Sequence, residues 1–388
     1  MSRVSIIGAG IPALALAVDL LQRHPANGDG GLEVQLHDLG RDPKDIPQQR
    51  ADQRTTAFLP PSVDYLDSLG VWAQVATQAA PLETLRIIDD RGARHSDPLI
   101  ETFRADEFGQ TAFAHNVANA PLRLALIGRA QALGAQIAWQ SGFQPQMLEA
   151  EDTLLIAADG QNSDARKALG IALEQRTPNQ SAIVCNATHS LDQNNVSCEF
   201  HRDAGPFTLV PFIPDPESGR PRTAIVWVEA PQKAAQLKAL PAQQFCARLQ
   251  TAARGLLGEV FSTTPPQSIP VATQSSTSMG KPGALLMAEA AHALPPIGAQ
   301  GLNTSMGDAM TLGALSSART DWVSAEFLAA YEKARKADIG LRFNATDMLN
   351  KVTTSQSGWR DPLSFGVIGA LRHVPALRQG LVRKGLGL

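Results

Sequence analysis

GALLMAEAAHALPPIGAQGLNTSMGDA, residues Gly283 to Ala309, is the stretch whose reading decides the fold. Ala284 to Ala288 forms a short apolar run of the kind found in a buried strand. Pro295 to Gly301 is a loop of prolines and glycines. A helix is expected to begin near Leu302, with Leu302, Met306, Met310 and Leu312 turned inward. Strand, glycine-rich loop and helix in that order aim free backbone N–H groups at whatever lies above the loop. The helix N-terminus favours negative charge there.

The start of the chain repeats this logic. Val4 to Gly8 reads as a buried strand, Gly8-Ala9-Gly10-Ile11-Pro12-Ala13 follows, and an Ala/Leu-rich helix runs to about Arg23. Glu33 to His37 is a second strand ending at Asp38. This is a βαβ dinucleotide fingerprint with alanine at the third small position. Gly8 permits the tight turn, Gly10 lets backbone approach a pyrophosphate, and Ala13 permits close helix–strand packing. Asp38 is placed to accept hydrogen bonds from a ribose. The apolar run also resembles a secretion signal, but Gly8, Gly10 and Pro12 fit the fingerprint better, and Asp19 interrupts it short of a membrane span.

Further elements follow in order. Arg54 to Phe58 precedes a helix over Ser62 to Trp72, closed by Gly70. Leu85 to Ser96 reads as a hairpin turning at Asp90-Arg91-Gly92. Asn119 to Leu133 is an amphipathic helix with Leu122, Leu126, Ala130 and Leu133 on one face and Asn119 as N-cap. Only about fifteen residues separate Trp139 from Leu154, room for a hairpin at most. Thr153 to Ala158 is a strand running into Asp159-Gly160-Gln161-Asn162-Ser163-Asp164-Ala165-Arg166. Between Ala182 and Thr273 strands dominate, clearest at Val196–Phe200, Phe207–Phe212 and Thr223–Val228. Glu326 to Leu349 reads as a long helix. The tail has an apolar set, Leu363, Phe365, Val367, Ile368 and Leu371, followed by Arg372, His373, Arg378, Arg383 and Lys384. Such a segment suits either an anionic membrane surface or packing on its own domain.

At 388 residues, with 44% hydrophobic and 18% charged residues, the chain is globular and long enough for about two domains. Its net charge of −3 and lack of a dense Lys/Arg run argue against a nucleic-acid partner. Cys185, Cys198 and Cys246 are too few and too scattered for a disulfide framework or a zinc site, so no metal is expected. They suit a reducing compartment.

Together these motifs resemble the flavin-dependent aromatic hydroxylases, the group A monooxygenases, and within them the ubiquinone-biosynthesis hydroxylases. His292, Pro296, Gly298, Gly301 and Asn303 match the family's H-x-x-x-P-x-G-x-x-G-x-N loop. Ala158 to Arg166 matches A-D-G-x-x-S-x-x-R at every fixed position. Asp52 and Arg54 match D-x-R-x-x-A-L. Gly205-Pro206-Phe207, Pro211 and Val226-Trp227 resemble the sheet elements of the ubiquinone hydroxylases. Two features depart from the pattern. Ala288-Glu289 stands where the family has Gly-Asp, and the Trp139–Leu154 stretch is shorter than the family's three-stranded meander.

The resemblance implies an α/β fold of the p-hydroxybenzoate hydroxylase-like kind. A discontinuous Rossmann-like FAD-binding domain would comprise 1–80, 110–175 and 275–320. An interleaved β-sheet substrate domain would comprise 81–109 and 176–274, and C-terminal helices 321–388. By the same resemblance FAD is held by Gly8, Gly10, Ala13, Asp38, Arg54, Asn119, Asp159, Glu289, Pro296, Gly298, Gly301, Leu302 and Asn303. Pro296 and Gly298 would line the pocket where the ring reacts, with the Leu302 and Asn303 amides near the flavin O2. His292 is read as structural. NAD(P)H would reduce the flavin, and O₂ would supply an oxygen to a ring carbon ortho or para to a phenolic oxygen.

The implied partners are a hydrophobic phenol with an isoprenoid tail and other ubiquinone-biosynthesis enzymes. The implied location is cytoplasmic, peripheral on the inner membrane face through residues 362–388. Two other readings stay open: a degenerate relative that binds a prenylated lipid or acts as a scaffold, and a hydroxylase of small aromatic acids. The second lacks an evident arginine or tyrosine set to hold a carboxylate.

Overall fold

A computed structural model describes residues 3–25, 31–46, 52–90, 99–150, 152–176, 179–296 and 298–354. The tail at 362–388, read above as a candidate membrane-surface segment, lies outside the described residues. Among the described residues no helix is long and apolar enough to cross a membrane.

The first layer is a six-stranded sheet in the order Gly280–Lys281, Ala284–Leu286, Thr153–Ala157, Arg3–Ile7, Glu33–Asp38, Gln136–Trp139. All pairings are parallel except that of the short edge strand Gly280–Lys281. Val4, Ile6, Ile7, Leu155 and Ile156 are almost fully buried, as expected of parallel strands covered on both faces. Helix Ile11–Arg23 packs against helices Asn119–Ala132 and Gln300–Ala318. Between Trp139 and Thr153 the regular structure among the described residues is one short helical turn, Pro145–Leu148. No hairpin forms there, and the single strand Gln136–Trp139 closes that edge.

The second layer is an eight-stranded sheet. Its order is Val260–Thr263, Ser181–His189, Arg222–Glu229, Gly205–Phe212, Val196–Arg202, Thr84–Asp89, Leu99–Arg104, with Gln267–Pro270 also pairing on Ser181–His189. The hairpin expected over Leu85 to Ser96 has its return strand later. Thr84 pairs with Arg104 and Asp89 with Leu99, and Arg91 and Gly92 of the expected turn lie outside the described residues.

Strand alternation gives this sheet two unlike faces. Ile88, Cys198, Phe200, Phe207, Leu209 and Trp227 point outward under helices Pro231–Lys238 and Ala242–Ala252. Leu85, Ile87, Phe103 and Val210 point inward. They join Ala57, Leu59, Leu82, Phe108 and Phe113 in a cluster that reaches Ala299 of the glycine-rich loop. A three-stranded sheet, Thr55–Phe58, Ala114–Ala118 and Ala80–Leu82, carries part of this cluster between the layers.

The turn after the first strand depends on one glycine. Gly8 has φ +102°, and a Cβ on it would lie 2.3 Å from the Ala158 carbonyl oxygen. Gly8→Ala is expected to destabilise the fold by about 2 kcal/mol or more through backbone strain and this clash. The midpoint of chemical denaturation measures it; an unchanged midpoint contradicts the close approach.

Candidate active site

The fingerprint end of the site is built by backbone. The Gly8 N–H donates to the His37 carbonyl at 2.7 Å, clamping the ends of the first two strands together. Gly10 precedes helix Ile11–Arg23, whose N-terminus no side chain caps. A Cβ on Gly10 would meet only the Pro12 ring, at 3.9 Å, so the space above it is open. Ala13 is fully buried against the sheet. Asp38 accepts from the Ala9 N–H and the Gly40 N–H, both at 2.7 Å, and Arg123 approaches it at 3.4 Å. The carboxylate is thereby fixed at the strand end, with lone pairs left to accept from hydroxyls.

The Asp159 loop is equally constrained. One carboxylate oxygen of Asp159 accepts from the Asp164 and Ala165 amides at 2.9 and 3.3 Å. Ser163 Oγ accepts from the Arg166 amide at 3.0 Å, so two side chains cap the short helix Asp164–Ala168. The other Asp159 oxygen is buried and has no partner. Leaving such an acceptor unmet costs about 1–3 kcal/mol, which a bound donor would recover. Buried Arg166 donates to the Ala290 and Gln161 carbonyls, both at 2.8 Å, tying this loop to the turn after the strand Ala284–Leu286.

That turn differs from the expected strand. Ala284–Leu286 ends early, and Ala288–Ala290 is a helical turn with Ala288 at φ +53°. Alanine here occupies the left-handed region that favours glycine, the residue the family pattern places at this position. Glu289 is exposed. Arg54 holds Asp52 through two bonds of 2.8 Å, and this pairing, with Glu289 adding to it, raises the guanidinium above its ordinary value against the effect of burial.

Asn119 is not the N-cap. Ala118 holds that position, and the Asn119 carboxamide oxygen accepts from Thr56 Oγ1 at 2.8 Å. Its side chain is thus free of the helix end and bonded across to the Arg54 strand. Asp52, Arg54, Asn119 and Glu289 gather at one place.

Helix Gln300–Ala318 starts slightly before Leu302. Met306 and Leu312 are buried, while Leu302 and Met310 are partly buried against the same core. Pro296 and Gly298 are exposed at the rim of the loop, and a Cβ on Gly301 would meet nothing within 4 Å. The Asn303 side chain is committed to the fold. Its oxygen accepts from the Leu59 amide at 2.9 Å, and its nitrogen donates to the Ala57 and Ala299 carbonyls at 2.9 and 2.7 Å. A polar hollow lined by Thr84, Arg86, Thr102 and Arg104 belongs to the opposite face of the same strands.

Sequence reasoning missed the group that supports the loop from below. Asp308 is fully buried. Its carboxylate accepts from the Ala288 amide at 2.8 Å, meets His292 Nε2 at 2.7 Å and binds Arg335 Nε at 2.7 Å. Arg335 also donates to the Thr304 carbonyl at 2.9 Å. Gly307 gives the guanidinium room, since a Cβ there would lie 2.9 Å from it. Burial alone would raise the Asp308 carboxyl; His292 and Arg335 outweigh it and hold it below the usual carboxylate range. His292 is thus a structural partner. An acid among the apolar positions of helix Gln300–Ala318 was the available signal.

Two outcomes follow from this support. Asp308→Asn leaves Arg335 buried without its main counter-charge and is expected to cost about 3–5 kcal/mol, read as a lower denaturation midpoint. The Asp308 contribution is present above an ordinary aspartate pKa of about 4 and is lost as pH falls through its lower folded value. The Asn variant should therefore show a flatter acid-unfolding profile than the native chain. Ala288→Gly relieves left-handed strain and is expected to raise stability by about 1 kcal/mol in the same assay; a loss would contradict the strain.

The described residues fit a flavin dinucleotide. An unmet buried acceptor at Asp159 stands beside the Gly8 turn, the ground over Gly10 and Gly301 is open, and a carboxylate at Glu289 is exposed. Comparisons with known proteins agree. The FAD binding domain family matches residues 1–340. The chain is 27% identical over 415 residues to 3-demethoxyubiquinol 3-hydroxylase of Escherichia coli, covering 100% of this chain and 99% of that one. It is 25% identical over 405 residues to ubiquinone hydroxylase UbiL of Rhodospirillum rubrum, covering 99% and 89%. Among solved structures, p-nitrophenol 4-monooxygenase PnpA of Pseudomonas putida superposes with a TM-score of 0.74 at 14% identity, covering 100% and 99%. With 2-methyl-3-hydroxypyridine-5-carboxylic acid oxygenase the score is 0.69 at 17% identity, covering 92% and 94%, so the fold is that of the flavin monooxygenases. The chain therefore belongs to the FAD binding domain family, as an FAD-dependent enzyme of the monooxygenase class.

Proposed function

We propose that this enzyme hydroxylates the ring of a polyprenylated phenol in ubiquinone biosynthesis, with NAD(P)H and O₂ as co-substrates. The observation that carries the reading is the apolar cluster between the inner face of the eight-stranded sheet and Ala299 of the loop. Leu85, Ile87, Phe103, Phe113 and Val210 line it. Such a surface suits an aromatic ring with an isoprenoid tail. The full-length similarity to two proteins named as ubiquinone-pathway hydroxylases supports the same substrate class.

Bound FAD supplies the reduction and oxygen chemistry. The protein's part is to bind, orient and exclude water. Asp38 would accept from the adenosine ribose, and Asp159 would meet a donor near the pyrophosphate with its unpaired oxygen. Glu289 would accept from the ribityl hydroxyls, beside Arg54 and Asn119. The Leu302 and Asn303 amides, at the start of helix Gln300–Ala318, would favour negative charge on the flavin's pyrimidine edge. Pro296 and Gly298 form the rim where the ring approaches, and the apolar wall keeps water from the reacting carbon.

The non-catalytic scaffold reading drew on Ala288-Glu289 and the shortened Trp139–Leu154 stretch, and it is not favoured. The carboxylate at Glu289 remains exposed at the turn, and the supporting contacts under the loop are complete.

The purified protein is expected to bind FAD and to consume NAD(P)H faster when a prenylated phenol is present, with hydroxylated product by mass spectrometry. A protein that takes up no FAD in a fluorescence titration removes the enzyme reading. Glu289→Ala should weaken FAD binding by about 1–3 kcal/mol, the range for losing a charged hydrogen bond. Asp159→Ala should weaken FAD retention or slow flavin reduction. Unchanged affinity and reduction rate in a folded variant would withdraw that residue from the cofactor site.

A further inference from the structure

Asn116 lies in the middle of the strand Ala114–Ala118, and its side chain is 1% exposed. Its register partners are Ala57 on one side and Ala80 on the other. By strand alternation Asn116 shares a face with Ala114, and Ala57, Ala114 and Leu82 all belong to the apolar cluster that meets the loop. Its nitrogen donates to the Pro211 carbonyl at 2.9 Å, next to Val210 of the same cluster. That bond fixes which end of the carboxamide is nitrogen, because the reversed amide would set two oxygens against each other. The Asn116 oxygen is therefore the end left over. It is buried and has no partner.

An unmet acceptor inside an apolar cluster is costly, and its oxygen can be satisfied only by a donor. The cluster is not sealed: Leu85, Ile87, Val210 and Ala299 are partly buried residues packed against it. It also adjoins the cofactor loop. Ala57, the strand partner of Asn116, gives its carbonyl to Asn303, which in turn holds Ala299.

From this geometry we infer that the Asn116 carboxamide oxygen accepts the hydrogen bond of the substrate's phenolic O–H and so sets which ring carbon faces the loop. This deepens the phenol reading above and rests on it. An acceptor oxygen discriminates between substrate classes. It bonds a neutral phenol, is indifferent to an ether, and repels a carboxylate. A ring anchored by its hydroxyl beside Val210, with its apolar edge along Leu85 and Ile87, presents the neighbouring carbons rather than the hydroxyl to the reacting face. Asn116 touches substrate in this arrangement and takes no part in proton transfer.

The test uses the FAD-loaded full chain and two probes, 2-prenylphenol and its methyl ether, which lacks the donor. Affinities are read from the perturbation of the flavin absorbance on titration. The native protein is expected to bind the phenol about tenfold more tightly than the ether, the effect of one hydrogen bond to a buried acceptor. In Asn116→Leu that preference should vanish while FAD affinity is unchanged. Asn116→Ala, which removes the same oxygen without adding a branched chain, should behave alike. Equal binding of both probes by the native protein overturns the inference without needing any variant to fold. A preference that survives in either variant overturns it too, since the donor is then met elsewhere. Weakened FAD affinity in the variants assigns the oxygen to the cofactor and also overturns it. Binding of neither probe removes the phenol reading itself, and this inference with it.

Discussion

A single buried carboxylate, Asp308, holds together the parts of this site that sequence places far apart. It takes one bond from the Ala288 amide, one from His292 and one from Arg335. These belong to the turn after the strand Ala284–Leu286, the short strand His292–Ala293 that follows it and the long helix Ala325–Thr354. A carboxylate with no exposure is tolerated only when its charge is met and its lone pairs are used, and here both conditions hold. Removing any one partner leaves the others miscompensated, so the turn, the short strand and the helix act as one support beneath the glycine-rich loop. Preorganisation of this kind lets backbone amides stabilise charge without reorganising when it develops.

The same economy appears where the two sheets meet. Asn303 spends its whole side chain on Leu59, Ala57 and Ala299, which fixes the loop to the small three-stranded sheet. Asn116, on the central strand of that small sheet, bonds to Pro211 of the large sheet. Two carboxamides thus help fasten three layers at a largely apolar seam. Apolar packing is non-directional and cannot fix the distance between a loop and a wall. Oriented hydrogen bonds can, which accounts for polar side chains at the driest part of the seam.

Much of this was legible in the residues. Gly8, Gly10, Ala13 and Asp38 follow from local geometry, because a tight turn and a close helix each demand a residue type at a fixed offset. The Asp159 fingerprint is local for the same reason: its capping partners Asp164 and Ala165 lie five and six residues on. What stayed hidden was non-local. Arg335 reaches Asp308 from another helix, and no spacing rule links them. The return strand of the Thr84–Asp89 hairpin was misplaced because a turn signal marks where a chain can bend, while register is set by which face is buried. Asn119 was read both as a cofactor-side residue and as a cap, the latter because asparagine before a helix usually caps it. Here a tertiary acceptor site for Thr56 takes the side chain instead.

The Ala288-Glu289 pair shows how a departure from a family pattern is absorbed. Alanine at φ +53° carries strain of about 1–2 kcal/mol relative to glycine. That conformation persists because the amide of Ala288 is already bonded to Asp308, so relaxing φ would strand a buried acceptor worth more than the strain it relieved. The longer acid beside it meets a different constraint. Asp52 occupies the forked face of Arg54 with two bonds, which leaves Glu289 within the field of that guanidinium but outside its hydrogen-bonding fork. A carboxylate so placed keeps its lone pairs for hydroxyl donors. The extra methylene lengthens its reach by about one bond. Strain at one residue and reach at the next offset each other, and the two substitutions make physical sense as a pair in a way that neither does alone.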